Sequence, residues 1–152
     1  MAITESQKRL VRDSFAKVEP IAEAAADIFY NKLFEYDPSL KPLFKTDLKS
    51  QGKKLMAALK LAVSSLDNLD KLVPVLEKMA IQHVDYGVKV DDYTPVGNAL
   101  IFTLKTGLGE QFTPDLKQAW IETYKTMATV MRAAAYNSYD PATYRNHKYY
   151  NK

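Results

Sequence analysis

Asp70-Lys-Leu72-Val-Pro74-Val-Leu76-Glu-Lys-Met79-Ala80-Ile-Gln-His83-Val-Asp-Tyr86-Gly87 is the stretch on which the fold turns. Leu72, Leu76, Met79, Ala80 and His83 recur at helical spacing, which predicts an amphipathic helix with these side chains on one face. Asp70 is placed to cap it, Pro74 falls in the first turn, where a missing N–H does little harm, and Tyr86-Gly87 terminates it. His83 therefore points where a leucine is expected. Taken alone, an inward histidine reads as a hydrogen-bonded core residue before it reads as a ligand. Removing an imidazole from water still requires a partner for it, and a metal centre would be one.

Outward from this stretch the same spacing runs through most of the chain. Thr4-Glu-Ser-Gln7 has the form of a capping box ahead of Leu10, Val11, Phe15 and Val18. Glu19-Pro20 ends that helix or opens the next, in which Ile21, Ala25, Ile28, Phe29 and Leu33 align and which stops near Tyr36. Asp37-Pro38 starts a further helical turn that Pro42 keeps short. Asp47 caps a longer helix with the stripe Leu48, Gln51, Leu55, Leu59, Ala62 and Leu66, so one amide lies on an apolar face. Thr94-Pro95 opens a helix through Leu108 with Val96, Leu100 and Leu104 in register. Thr113-Pro114-Asp115 opens the last, carrying Leu116, Trp120, Thr123, Met127, Val130 and Ala134. No sustained alternation and no Asn-Gly or Asp-Gly hairpin signal occurs. The expectation is all-α, with six long helices plus one or two short ones. Residues 1–136 form the domain, and 137–152 are a polar, tyrosine-rich tail, packed loosely on it, with His147 at the surface.

Composition narrows the function. A chain of 152 residues fits one domain, and 47% hydrophobic with 26% charged residues is globular rather than disordered. Five glycines leave little material for a phosphate-binding loop. The 21 basic and 18 acidic residues are scattered, with no basic run to grip nucleic acid. The absence of cysteine excludes disulfides, thiolate metal sites and a cysteine nucleophile. No stretch has the length of a signal peptide's apolar region or of a membrane span. The expectation is a soluble, cytoplasmic protein.

A single inward histidine cannot complete a zinc centre, which takes three or four protein ligands. It does suffice for a haem, because the porphyrin supplies the equatorial nitrogens and the protein need add only one axial ligand. Gln51 on its apolar stripe reads first as a residue at the edge of the buried face. Tyr30, inside the second helix, needs a partner for its hydroxyl if it is buried.

Together these residues stand in a familiar series. Phe29-Tyr30-Asn-Lys-Leu33-Phe34-Glu-Tyr-Asp-Pro38-Ser-Leu40-Lys-Pro-Leu43-Phe44 resembles the second and third helices of bacterial globins. Gln51-Gly-Lys-Lys-Leu55-Met56, His83-Val-Asp-Tyr-Gly-Val88, Tyr93-Thr-Pro-Val-Gly97 and Trp120-Ile-Glu-Thr-Tyr124 follow in family order and spacing. The resemblance covers roughly residues 5–136 and is to single-domain bacterial haemoglobins and the globin domain of flavohaemoglobins. It implies a globin-like fold around haem b, iron protoporphyrin IX, with His83 as the proximal iron ligand. Phe44 is implied as the ring packed on the haem face, and Leu55, Val88, Tyr93 and Val96 as further haem contacts. Tyr30 and Gln51, with Leu55 as pocket wall, are implied to hold O2. A phenol O–H or amide N–H donates to the partial negative charge that O2 acquires there, which favours O2 over CO and slows its release. Lys53 or Lys54 could in principle reach the iron when no gas is bound, although solvent is the first expectation for both.

One departure stands out. The flavohaemoglobin pattern joins the proximal histidine to a tyrosine and to a glutamate of the last helix. Tyr93 matches the tyrosine, but the glutamate position, counted from Trp120, falls on Ala135. The acids of that helix, Asp115 and Glu122, lie near its start. Without the carboxylate, the electronic push behind oxygenase-like activation is weaker. No flavin or nicotinamide domain is expected in the chain. The expected function is therefore tight, reversible O2 binding for storage, scavenging or delivery. The alternatives are an NO dioxygenase, making nitrate from NO and O2 with an external reductase, and a gas sensor or haem-free interaction domain.

Overall fold

The computed structural model describes residues 3–44, 47–136, 139–140 and 142–144, and His147 lies outside them. Six α-helices form among the described residues: α1 (Glu5–Val18), α2 (Ala22–Tyr36), α3 (Leu48–Ser64), α4 (Leu69–Asp85), α5 (Tyr93–Leu108) and α6 (Pro114–Ala135). Short 3₁₀ turns at Glu19–Ile21, Pro38–Leu43, Val90–Asp92 and Gly109–Gln111 join them. These turns outnumber the one or two short helices expected from the sequence.

The helix starts follow local chemistry. Thr4 Oγ1 accepts from the Gln7 amide at 3.1 Å while Gln7 Oε1 accepts from the Thr4 amide at 3.0 Å, completing the capping box. Asp47 accepts from the Ser50 amide at 3.0 Å, and Thr113 from the Leu116 amide at 3.2 Å. Two starts differ from the sequence expectation. The cap of α4 is Asn68 rather than Asp70, because the turn after α3 closes at Asn68 through its amide bond to Ser65 O. Asp70 sits in the first turn, near the positive end of the helix dipole. Pro74 consequently lies inside α4, where its missing N–H removes a helical hydrogen bond. The fifth helix starts at Tyr93, after a Val90–Asp92 turn with no sequence signal; the Asp92 carboxylate accepts from the Lys89 amide at 2.9 Å.

Helix α2 packs across α3 and α5, while α1 and α4 both lean on α6. The crossing of α2 and α3 depends on Gly52: a Cβ there would stand 2.8 Å from Ala26 Cβ. Trp120, fully buried on α6, donates from its indole N–H to Ser14 Oγ on α1 at 2.9 Å, and Ser14 donates onward to Val11 O at 2.9 Å. On the stripe of α3, Leu59, Ala62 and Leu66 are buried, Gln51 and Leu55 half-buried, and Leu48 exposed. No described helix is long and apolar enough to cross a membrane.

Candidate functional site

The buried apolar residues fall into two clusters, and the candidate site residues divide between them. The larger cluster joins α1, α2, α3, α5 and α6 and includes Phe15, Phe29, Tyr30, Leu33, Leu104 and Trp120. Phe44, Leu55 and Val96 pack half-buried against it. The smaller cluster joins α4 to α6 through Leu72, Leu76, Ala80, Tyr93, Ala128 and Met131, with Val88 packed against it.

On the larger side, α2 carries Tyr30 inward at 5% exposure. Its ring centre lies 5.1 Å from that of Phe29, 6.1 Å from Phe34 and 5.4 Å from Phe44. Burial pushes its phenol up to about 12, so the hydroxyl keeps its proton and remains a donor. Gln51 lies in the first turn of α3, next to Gly52, whose Cβ position is 4.0 Å from the Tyr30 ring. The exposed Lys53 and Lys54 follow on that helix, and Lys53 lines a groove of about 480 Å³ between the outer sides of α2 and α3, apart from the other candidate residues.

On the smaller side, His83 sits half-buried in the last turn of α4 with Nδ1 2.6 Å from Met79 O. A carbonyl oxygen only accepts, so Nδ1 carries a proton, and in the neutral ring the lone pair is therefore on Nε2. That is the tautomer a metal ligand needs, with its other nitrogen already held. Helix α4 stops at once beyond it: Gly87 adopts φ +94° and the Val88 amide donates to His83 O at 3.0 Å. The Tyr93 ring centre is 6.4 Å from that of His83. Tyr93 is 6% exposed, and its hydroxyl is the one buried side-chain polar atom among the described residues without a hydrogen-bond partner.

The structure thus brings Tyr30 together with Phe44 at the larger cluster and His83 with Tyr93 at the smaller, and Leu69 and Tyr124 pack against both clusters. An imidazole with a free Nε2, apolar side chains on both sides and a protonated phenol fit a flat, singly ligated haem. Sequence reasoning passed over Arg132, Tyr136 and Tyr144. Arg132 Nε donates to Val90 O at 2.9 Å, and Tyr136 donates to Val88 O at 2.5 Å. A polar side chain at a helix end carries no periodic signal, so nothing in the pattern marked Arg132 or Tyr136, and Tyr144 lies beyond the last helix in the segment read as a tail. Tyr124 of the Trp120 motif donates to Tyr93 O at 2.6 Å.

Comparison with known proteins agrees with this architecture. The chain is 30% identical over 145 residues to a flavohemoprotein of Chromobacterium violaceum, covering 93% of this chain and 36% of the relative, so it spans about a third of that protein's length. It is 28% identical over 143 residues to the neuroglobin of Danio rerio, covering 85% of this chain and 90% of that one. Among solved structures, an engineered carbene transferase made from a candidate nitric oxide dioxygenase of Rhodothermus marinus superposes with a TM-score of 0.81. It shares 29% identity and covers 90% of this chain and 95% of that one. The family profile described as Globin matches residues 27–131. On that match, over more than two thirds of its length, the chain belongs to the globin family.

Proposed function

We propose that this chain would hold haem b through Nε2 of His83 and bind O2 with Tyr30 as hydrogen-bond donor. The observation that carries the reading is the commitment of His83 Nδ1 to Met79 O at 2.6 Å, which leaves a neutral nitrogen for iron. Family membership supports haem-based gas binding, and the finer assignments rest on this chain's own residues. When bound, the haem supplies an iron centre that takes diatomic gases and exchanges electrons. Phe44, Leu55 and Val96 on one side and Val88 on the other give it apolar walls that exclude water. Tyr30 donates its O–H toward the gas and, with its phenol raised to about 12, does so throughout the neutral pH range. Gln51 supplies a second donor at the mouth of that side. CO and NO are further ligands of such a site. The proposal includes domain limits of 1–136 and a cytoplasmic location.

A second reading is nitric oxide dioxygenation with a separate reductase. It is favoured by the likeness to flavohemoproteins and to the Rhodothermus marinus protein. Tyr30 serves both readings, since holding O2 prepares it for release or for reaction.

The experiment is a visible absorption spectrum of the purified protein, before and after reduction under CO. A strong Soret band that shifts sharply with CO is expected, and NO turnover with an added reductase then separates binding from dioxygenation. No Soret band, even after haem is offered, would end the reading and leave His83 a core histidine.

A further inference from the structure

The turn that carries Tyr93 is gripped from behind by the end of α6 and the segment beyond it. Arg132 donates from Nε to Val90 O at 2.9 Å and from Nη2 to Thr94 Oγ1 at 3.2 Å. Its guanidinium carbon lies 5.4 Å from the Tyr93 ring centre and 4.7 Å from that of Tyr144. Tyr144 donates to the Asp91 carboxylate, and the Tyr139 ring centre stands 5.3 Å from that of Tyr144. Tyr136, capping α6, meets Tyr93 edge-on at 6.4 Å while its hydroxyl holds Val88 O. One planar cation therefore fixes two points of the 90–94 turn and is sandwiched between two phenol rings. One of those rings is that of buried Tyr93, beside His83.

We propose that Arg132, held against Tyr93 by Tyr144, is a positioning residue for the His83 ligand. It locks the Tyr93–His83 contact and sets a fixed positive charge behind the imidazole. The inference rests on His83 being the haem ligand. The charges facing Arg132 are Asp91 and Asp92 on the turn, the latter buried and bonded to the Lys89 amide. The acids of α6, Asp115 and Glu122, lie at least ten residues before Arg132 along the helix. Loss of Arg132 would remove one fixed positive charge from beside the turn that carries Asp91 and Asp92, so the field at the ligand would turn more negative. A more negative field favours the more positively charged ferric state and gives His83 more imidazolate character. Lysine keeps the charge but lacks the planar fork that binds Val90 O and Thr94 Oγ1 together and stacks between rings.

The test compares Arg132→Gln, Arg132→Lys and Tyr144→Leu in the full haem-loaded chain. It reads the ferric–ferrous midpoint potential, the iron–histidine stretching frequency of the reduced protein, and the rate of haem transfer to an excess of an apoglobin acceptor. In Arg132→Gln we expect a higher stretching frequency, about threefold or more ferric protein at a fixed redox poise, and faster haem transfer. Arg132→Lys should keep the potential near wild type yet release haem faster, and Tyr144→Leu should also release haem faster. Wild-type potential and stretching frequency in Arg132→Gln, whatever its thermal stability, would overturn the proposal. If that variant does not fold, unchanged haem transfer in both Arg132→Lys and Tyr144→Leu would overturn it instead. Failure of the haem assignment looks different: the protein would then keep its haem after His83→Ala, before any Arg132 variant is needed.

Discussion

Tyr30 and Tyr93 are buried to nearly the same depth, at 5% and 6% exposure, yet they are held in opposite ways. Tyr30 sits in a shell of Phe29, Phe34 and Phe44 and is positioned by packing. Tyr93 sits where Tyr124, Arg132 and Tyr136 bond to the backbone or side chains of its own turn, and is positioned by polar contacts of fixed direction. Packing is non-directional, so nothing but the shapes of its neighbours fixes the Tyr30 ring. Hydrogen bonds to carbonyl oxygens are directional, so the His83 side has one geometry. The difference suits a site in which one face receives a variable guest and the other holds a constant one.

The comparison breaks most completely at His83. Changes to the groups that orient a metal's ligands cost about 10–100-fold in metal affinity, so loss of the ligand itself in His83→Ala should speed haem transfer to an apoglobin by about 100-fold or more. Tight retention would point to another ligand. Gly52→Ala attacks the packed side: its Cβ would lie 2.8 Å from Ala26 Cβ, and neither atom can rotate away. The overpacking should cost about 1–3 kcal/mol, offset by up to about 1 kcal/mol of helix propensity, and lower the melting midpoint by several degrees. An unchanged midpoint would show that α2 and α3 part freely.

Tyr30→Phe keeps the aromatic shell and removes only the donor, so O2 release in stopped flow should quicken by about tenfold while haem stays bound. An unchanged rate removes Tyr30 from that role. Tyr136→Phe deletes one donor to Val88 O and should cost about 1 kcal/mol, read as faster amide hydrogen exchange over residues 88–94 with little change in the visible spectrum. An effect of another kind lies in alkali. Unfolded tyrosines ionise near their ordinary value of about 10, whereas Tyr30 in the fold does so near 12. Stability is therefore whole below pH ~10 and is lost as pH rises toward 12, with a gentler loss in Tyr30→Phe. Equal slopes for the two proteins would mean that Tyr30 is open to water.

The helices were legible because their signals are local. Thr4, Asp47 and Thr113 cap where their side chains reach amides three residues on. The start of α4 was misplaced because it is decided by how the preceding turn closes at Asn68, which the Asp70 pattern does not contain. His83 was legible as an inward residue from periodicity, but its tautomer required the position of Met79 O. Arg132 was illegible for a different reason. Its partners Val90 and Thr94 lie 42 and 38 residues away along the chain, and periodicity states which face a residue occupies, not what it reaches across space. The last turns of a helix favour a basic residue for its dipole alone, so Arg132 had an adequate local explanation that hid its tertiary one.

The bond between Trp120 and Ser14 spans 106 residues, and α1 leans chiefly on α6. During synthesis, Val11 and Phe15 thus wait for their main cover until the last helix has left the ribosome. Truncated nascent chains ending before Trp120 would present that apolar face to chaperones, and the core would seal only when the final helix docks.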